Sequence, residues 1–300
     1  MHFLHILEYG IIKGHMPELP EVETIRRGLL KCIKGQRVSA VKVFCDKNFI
    51  GDYGDILGAR VLELRRFGKA LVIDFDNEKS VICHLRMTGQ MIYRGEEDFA
   101  GGHPNDNFIV ELPNKQTRIE IDFEDGKLFF NDQRKFGFMK VVLTGEVPKD
   151  KFIASLAPEP WKMTGKELFA RLQRHKNAPI KAVILDQKVI SGLGNIYADE
   201  ALFFAEIHPA RKAGTVSRKE AEKLILGARE VMERSLESGG STMATYVKAD
   251  GTKGDYLELF AEVFKREGKP CRRCGTEIIK TRVAGRGTHI CPNCQKEEVE

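Results

Sequence analysis

The sequence predicts an α+β fold: an N-terminal antiparallel β-sandwich with a flanking helix, a helical second half, and a small C-terminal cysteine hairpin. Three observations predict it. Between Arg37 and Leu143 apolar residues mostly recur at every second position. From about Pro148 they recur at helical spacing. Four cysteines near the C-terminus fall in two C-x2-C pairs. Three hundred residues are enough for two sizeable cores.

Residues 1–15 hold a short apolar patch, Phe3 to Leu7, then Glu8 and an Ile11-Ile12 pair. They lack the basic start, long apolar core and small-residue cleavage site of a signal peptide. The segment reads as an extension, either an upstream start or an added leader. Structured text begins after Met16. Pro20 suits the first turn of a helix, Val22, Ile25, Leu29 and Ile33 share one face, and Gly35 can end it, so residues 20–34 are predicted helical.

In the strand region Ile119, Ile121 and Phe123 alternate with Glu120, Asp122 and Glu124. Asp125-Gly126 signals a turn, and Leu128 and Phe130 resume the alternation. Val81, Cys83, Leu85 and Met87 are expected on one strand face, with His84 and Arg86 on the other. Further on, Ser217 and Glu220 form a capping box, and a helix face from Ala221 to Leu236 ends at Gly239-Gly240. Residues 241–256 are polar and Gly-rich, a predicted loop. The expected domains are 17–147, 148–265 and 266–300.

The net charge of +5 is modest, but Lys265 to Arg286 carries eight basic residues opposed by Glu267 and Glu277. Such a run can be a solvated face; coinciding with a metal motif, it points toward a phosphate-facing surface. No apolar run is long enough to span a membrane. Seven cysteines, an odd number, do not make a secreted disulfide framework, so a reduced, cytoplasmic setting is expected. Cys271, Cys274, Cys291 and Cys294 have the spacing of a tetrahedral site for one structural Zn2+, with sixteen residues between the halves. Four protein ligands leave no open position for chemistry. The zinc would hold a hairpin tipped by Ala284-Gly285-Arg286-Gly287, either a phosphate-approaching loop or an exposed turn.

The string Met16-Pro17-Glu18-Leu19-Pro20-Glu21-Val22-Glu23-Thr24 resembles, without mismatch, the N-terminus of the formamidopyrimidine-DNA glycosylases, a bacterial base-excision repair family. Further landmarks follow in the family's order: Phe67-Gly68-Lys69, His84-Leu85-Arg86-Met87, Asp132-Gln133-Arg134-Lys135-Phe136-Gly137, Pro158-Glu159-Pro160, Gly192-Leu193-Gly194-Asn195-Ile196-Tyr197-Ala198 and Gly285-Arg286-Gly287-Thr288-His289. The resemblance spans residues 16–300 and implies a helix–two-turns–helix element in the helical domain. A Gly-x-Gly can also open a dinucleotide site, but here the third glycine is missing and helical text precedes it.

The resemblance implies a bifunctional glycosylase and lyase that acts on duplex DNA bearing an oxidised purine, as a monomer. A terminal proline is a secondary amine, and its attack on the sugar C1′ gives an iminium, a Schiff base, without further deprotonation. Glu18 matches the residue that handles protons in opening the sugar ring. Lys69 matches the lysine that assists elimination, and Arg286 the finger arginine that binds phosphates and promotes the second elimination. Since the target base must leave the stack, Met87, Arg134 and Phe136 match the residues that fill the hole. Asn105, Lys176 and Asn195 match DNA-contacting positions, and the glycine turn before Asn195 is expected to offer N–H groups to phosphate.

Departures from the family pattern cluster on contacts rather than on the catalytic set. Asn105 stands where many members carry His. Phe264-Lys265 replaces a usual Tyr-Gly, and Ala244 stands where Arg is common. Two other functions compete. An endonuclease VIII-like enzyme for oxidised pyrimidines usually opens Pro-Glu-Gly-Pro, which Leu19 argues against. A non-catalytic zinc-finger DNA binder follows if Pro17 is never freed, because an internal proline nitrogen is a tertiary amide.

Overall fold

The computed structural model describes residues 16–103, 110–238 and 260–297. Helix α1 spans Leu19–Ile33. It starts one residue earlier than predicted, because Glu18 serves as its N-cap and Glu21 Oε2 accepts the Glu18 N–H at 2.9 Å. Ten strands follow: β1 Val38–Val43, β2 Phe49–Ile50, β3 Val61–Phe67, β4 Ala70–Phe75, β5 Lys79–His84, β6 Gly89–Gly95, β7 Phe99–Gly102, β8 Thr117–Phe123, β9 Gly126–Asp132 and β10 Phe138–Leu143. They form two five-stranded sheets, ordered β1-β8-β9-β6-β7 and β2-β10-β5-β4-β3.

The sheets are antiparallel as expected except at one edge, where the two-residue β2 pairs parallel with β10. The β8–β9 hairpin turns at Glu124-Asp125, one residue before the expected Asp125-Gly126, with Ile119, Ile121, Phe123, Leu128 and Phe130 in the sandwich core. Glu120, expected outside, is nonetheless buried; Lys42 and Lys127 reach it at 2.8 and 2.9 Å. The expected strand through Met87 is shorter. It ends at His84, and Arg86 turns the chain with φ +53. Its second face is also buried: Ile82 packs with Ala70, Val72, Val147 and Ile153, because residues 144–154 fold back over that sheet.

The second half is helical: α2 Lys151–Ala154, α3 Gly165–Leu172, α4 Ile180–Ile184, α5 Asn195–Ala205 and α6 Arg218–Glu237. The predicted capping box opens α6, with Glu220 N–H on Ser217 Oγ at 3.2 Å and Ser217 N–H on Glu220 Oε2 at 2.7 Å. Gly239-Gly240, its predicted end, lies outside the described residues. Helix α1 joins the two halves. Leu19 is buried in the helical core, while Val22, Ile25, Leu29 and Ile33 are buried in the sandwich. Each such side chain contributes roughly 1.5–3 kcal/mol of burial. Strands β11 Ile279–Val283 and β12 Arg286–Ile290 form the terminal hairpin, whose tip is Ala284-Gly285.

Candidate active site

The Glu18 side chain leaves its own helix and runs to the start of α5. Its carboxylate accepts N–H bonds from Gly194 at 2.6 Å, Ile196 at 2.9 Å and Tyr197 at 3.4 Å. Gly194 has to be glycine: a Cβ there would lie 2.3 Å from Glu18 Cδ. The preceding Gly192 has φ +94, and its missing Cβ leaves room for Leu19. The glycine turn therefore points its free N–H groups at a protein carboxylate, where the sequence led us to expect phosphate. Glu21 stands beside it and accepts the Tyr197 hydroxyl at 2.7 Å. Burial pushes the Glu18 carboxyl up to about 7; Lys69 opposes this, Glu21 adds to it, and the Ile196 and Tyr197 N–H bonds pull back.

Lys69 is the second residue of the two-residue β3–β4 turn. Gly68, at φ +55, donates its N–H to Glu159 Oε1 at 3.0 Å, and Arg66 is bidentate to the same carboxylate at 2.5 and 3.1 Å. The Pro158-Glu159-Pro160 motif thus fixes the turn that aims Lys69. Lys69 is only 4% exposed; burial lowers its pKa, Glu18 and Glu21 raise it, and Arg286 lowers it. Met16, Glu18, Lys69, Arg86, Met87, Asn195, Lys265 and Arg286 line one cleft of about 940 Å³. His84 also lines it, held neutral by burial and by Arg86 and Lys69, its pKa down at about 3. A smaller cavity of about 290 Å³ between Glu200, Phe203 and Arg273 contains none of the predicted site residues.

Beside the cleft, Asp132 ties two turns together. Its carboxylate accepts the Thr88 hydroxyl, the Arg134 N–H at 3.1 Å and the Gly137 N–H at 2.7 Å. Asp132 is fully buried, whereas Phe136 is 55% exposed and carries the Arg134 guanidinium 5.0 Å above its ring. Met87, just before Thr88, is half-buried. Exposed apolar and cationic side chains are thus held on a turn that is rigid underneath.

The hairpin is anchored from below. Lys181 Nζ lies 2.6 Å from Asp199 Oδ1, both side chains fully buried, and donates to Gly287 O at 3.0 Å and Thr288 Oγ1 at 2.8 Å. Asp199 Oδ2 accepts the His289 N–H at 3.0 Å, and Asn195 Nδ2 donates to Gly287 O at 3.0 Å. These bonds flank Arg286, which is exposed toward the cleft. The Sγ atoms of Cys271, Cys274, Cys291 and Cys294 lie within 4.8 Å of one another, with separations of 3.5 to 4.0 Å among the close pairs. Four thiolates about 2.3 Å from a tetrahedral zinc would stand about 3.8 Å apart. The donor set fits one structural Zn2+.

Three family models match in chain order: the formamidopyrimidine-DNA glycosylase N-terminal domain over residues 16–139, the H2TH domain of the same enzymes over 156–247, and a zinc finger found in FPG and IleRS over 268–296. Formamidopyrimidine-DNA glycosylase of Pediococcus pentosaceus is 39% identical over 93% of this chain and 99% of its own length. That of Desulfitobacterium hafniense is 37% identical over 93% and 100%. The chain belongs to the formamidopyrimidine-DNA glycosylase family. Among solved members, Lactococcus lactis Fpg bound non-covalently to AP-site DNA superposes with a TM-score of 0.81 at 30% identity, and Thermus thermophilus MutM with 0.79 at 36%. Each alignment covers 94% of this chain and all of the other.

Of the residues that the family motifs single out, Glu18, Lys69, Met87, Asn195 and Arg286 share the cleft, and Pro17 is buried next to Glu18. Arg134 and Phe136 stand on the turn joined to Met87's by Asp132. Lys176 is not brought to the cleft; it is exposed after the 3-10 turn 173–175, with its carbonyl accepting the Gly214 N–H. The Asn195 Nδ2 donates to Gly287 O, so this residue also braces the hairpin. Asn105, Ala244 and the 241–256 loop lie outside the described residues. Phe264, where the family carries Tyr, is fully buried edge-on to His289. The sequence reading missed Lys181, Asp199 and Asp132. A lysine among Ile180, Val183 and Ile184 and an aspartate inside an apolar helix were the available signals, since such charges need buried partners.

Proposed function

We propose that this chain is a bifunctional DNA glycosylase and AP lyase that excises oxidised purines, 8-oxoguanine and formamidopyrimidines, from duplex DNA. Family membership supports the glycosylase reaction on oxidised purines. The observation that carries the chemistry is the buried Glu18 carboxylate, set next to Pro17 and sharing a cleft with Lys69 and Arg286. Met16, bonded to the Pro17 nitrogen, also lines that cleft. Removing Met16 and everything before it would open the nitrogen toward the substrate.

The steps follow from these groups. The Pro17 amine attacks C1′, the damaged base leaves with a proton, and an iminium forms. Glu18, with a carboxyl poised near neutrality, moves the protons that open the sugar ring. Loss of a C2′ proton expels the 3′ phosphate, and a second elimination expels the 5′ phosphate, leaving a one-nucleoside gap. Lys69, whose pKa burial lowers, can exchange a proton during elimination, and Arg286 stabilises the leaving phosphates. Met87, Arg134 and Phe136 occupy the space of the extruded base, with Asn195 bracing the hairpin behind them. Zinc acts only as a structural tie.

Residues 17–147, 148–265 and 266–300 are the working domains, with 1–15 as an extension absent from the active form. Met removal before a small residue such as Pro17 leaves the required amine. The enzyme acts as a monomer in the cytoplasm; among the described residues no helix is long and apolar enough to cross a membrane. The test is borohydride trapping of chain beginning at Pro17 on duplexes holding 8-oxoguanine or dihydrothymine. A covalent adduct, formed preferentially with 8-oxoguanine, is expected. Absence of an adduct, or an active enzyme retaining Met1, overturns Pro17 as nucleophile. Preference for dihydrothymine overturns the purine assignment.

A further inference from the structure

The segment leading to the zinc hairpin is clamped from both sides. Buried Glu200 on α5 accepts the N–H groups of Glu262, Val263 and Phe264 at 2.9, 3.0 and 2.8 Å. On the far side, Arg266 donates its N–H to Val263 O at 3.1 Å, and its guanidinium reaches Glu262 O at 2.6 Å and Pro270 O at 2.9 Å. Between the clamps Lys265 is forced to φ +57. That left-handed conformation suits glycine, which the family commonly has here, and strains any residue with a β-carbon. This chain therefore accepts strain to hold a lysine at that point.

The side chain is half-exposed, so burial does not explain the choice. It lines the same cleft as Arg286, Lys280, Asn195 and Glu18. A strained turn whose geometry is fixed by its neighbours gives a charged group a defined position before any ligand arrives.

We propose that Lys265 is a further phosphate-binding residue: its ammonium pairs with a DNA backbone phosphate beside the one engaged by Arg286, a contact that glycine at this position cannot make. The inference rests on the DNA-glycosylase function above. It is a positioning contact that raises affinity for the duplex without sequence preference.

The test is the binding of a duplex carrying an abasic-site analogue, measured from 50 to 200 mM salt. The proteins, each beginning at Pro17, are the wild type, Lys265→Gly, Lys265→Met and, as a charge control on an exposed residue outside the cleft, Lys149→Gln. One lost phosphate contact should flatten the slope of log K against log salt by about 0.9 and weaken binding roughly eightfold at 0.1 M salt in both Lys265 variants. Lys149→Gln should change neither. Lys265→Gly should melt no lower than Lys265→Met, because it alone relieves the left-handed strain. Unchanged slopes in both Lys265 variants, or an equal change in Lys149→Gln, overturn the contact. A lower melting point for the glycine variant overturns the strain. If the wild-type chain fails to bind the duplex, the function itself falls, and the inference with it.

Discussion

Replacing Lys181 with methionine should be among the most damaging single changes distant from Pro17. Lys181 and Asp199 are both fully buried and 2.6 Å apart, and Lys181 also donates to Gly287 O and Thr288 Oγ1. Lys181→Met leaves the Asp199 carboxylate without its cation and two hairpin acceptors without their donor. Removing one partner of a buried pair costs about 3–5 kcal/mol, because the remaining charge stays desolvated. At about 2–4 °C per kcal/mol, that is a fall in melting temperature of roughly 6–20 °C. Asp199→Asn keeps an oxygen for the His289 N–H. The double variant removes both charges and should recover at least half of the loss, giving a coupling of about 2 kcal/mol or more. Asp199→Asn alone adds a pH signature. Burial already lowers the Lys181 pKa against the pull of Asp199. Without that partner the folded pKa falls further below the unfolded value near 10.5, so the folded state binds fewer protons than the unfolded one. Stability then rises with pH below 10.5, and the penalty of Asp199→Asn is larger at pH 6 than at pH 9. Thermal denaturation of the four proteins at both pH values measures this. A Lys181→Met loss under about 1 kcal/mol, or additive single and double changes, would refute the buried-pair reasoning.

Gly194→Ala places a methyl 2.3 Å from Glu18 Cδ and must displace that carboxylate from its present position. It should cost about 1–3 kcal/mol of stability and abolish borohydride trapping, and an active variant would show that Glu18 does not need its present position. Because burial raises the folded pKa of Glu18 to about 7, its contribution to stability is fully present below the unfolded value of 4.5 and is lost as pH rises through 7. Glu18→Gln should therefore lose less stability than the wild type between pH 4.5 and 7 in pH-resolved melting curves; parallel curves would contradict the burial. Chelation of zinc should unfold the hairpin while leaving far-UV strand signal, with DNA binding reduced at least tenfold, since structural zinc contributes on the order of 10 kcal/mol to modules of this kind. Retained binding after verified metal loss would remove the hairpin from the interface.

The sandwich, the helical half and the zinc ligands were legible because each rests on a local period or spacing. Alternation marked β8 and β9, the capping box marked α6, and the two C-x2-C pairs marked the metal site. What the sequence hid was non-local. Nothing near Gly194 says that its N–H groups face Glu18, 176 residues away in the chain. The glycine turn before Asn195 was expected to offer its N–H groups to phosphate because helix N-termini bind anions; here they hold a carboxylate of the same chain. Lys176 was named by its match to a DNA-contacting position, while nothing around Lys181, five residues further on, names Asp199 as its buried partner. Periodicity assigns faces, and it cannot say which opposite charge from another element arrives there.

Helix α5 explains why these units work as one. Its first turn holds Glu18 through the N–H groups of Ile196 and Tyr197, and the Tyr197 hydroxyl reaches Glu21. Two residues on, Asp199 holds Lys181 and, with it, the hairpin that carries Arg286. The next residue, Glu200, clamps the segment that carries Lys265. Six consecutive positions, from Asn195 to Glu200, thus fix the N-terminal chemistry, the finger arginine and the approach to the finger against one rigid backbone. A helix buried this completely would ordinarily be apolar throughout. Its polar side chains persist because each one meets a partner from another part of the chain, and the spacing of Glu18 and Arg286 depends on the distances they set. Groups separated by more than 260 residues of sequence are held in register within one cleft by a single buried helix.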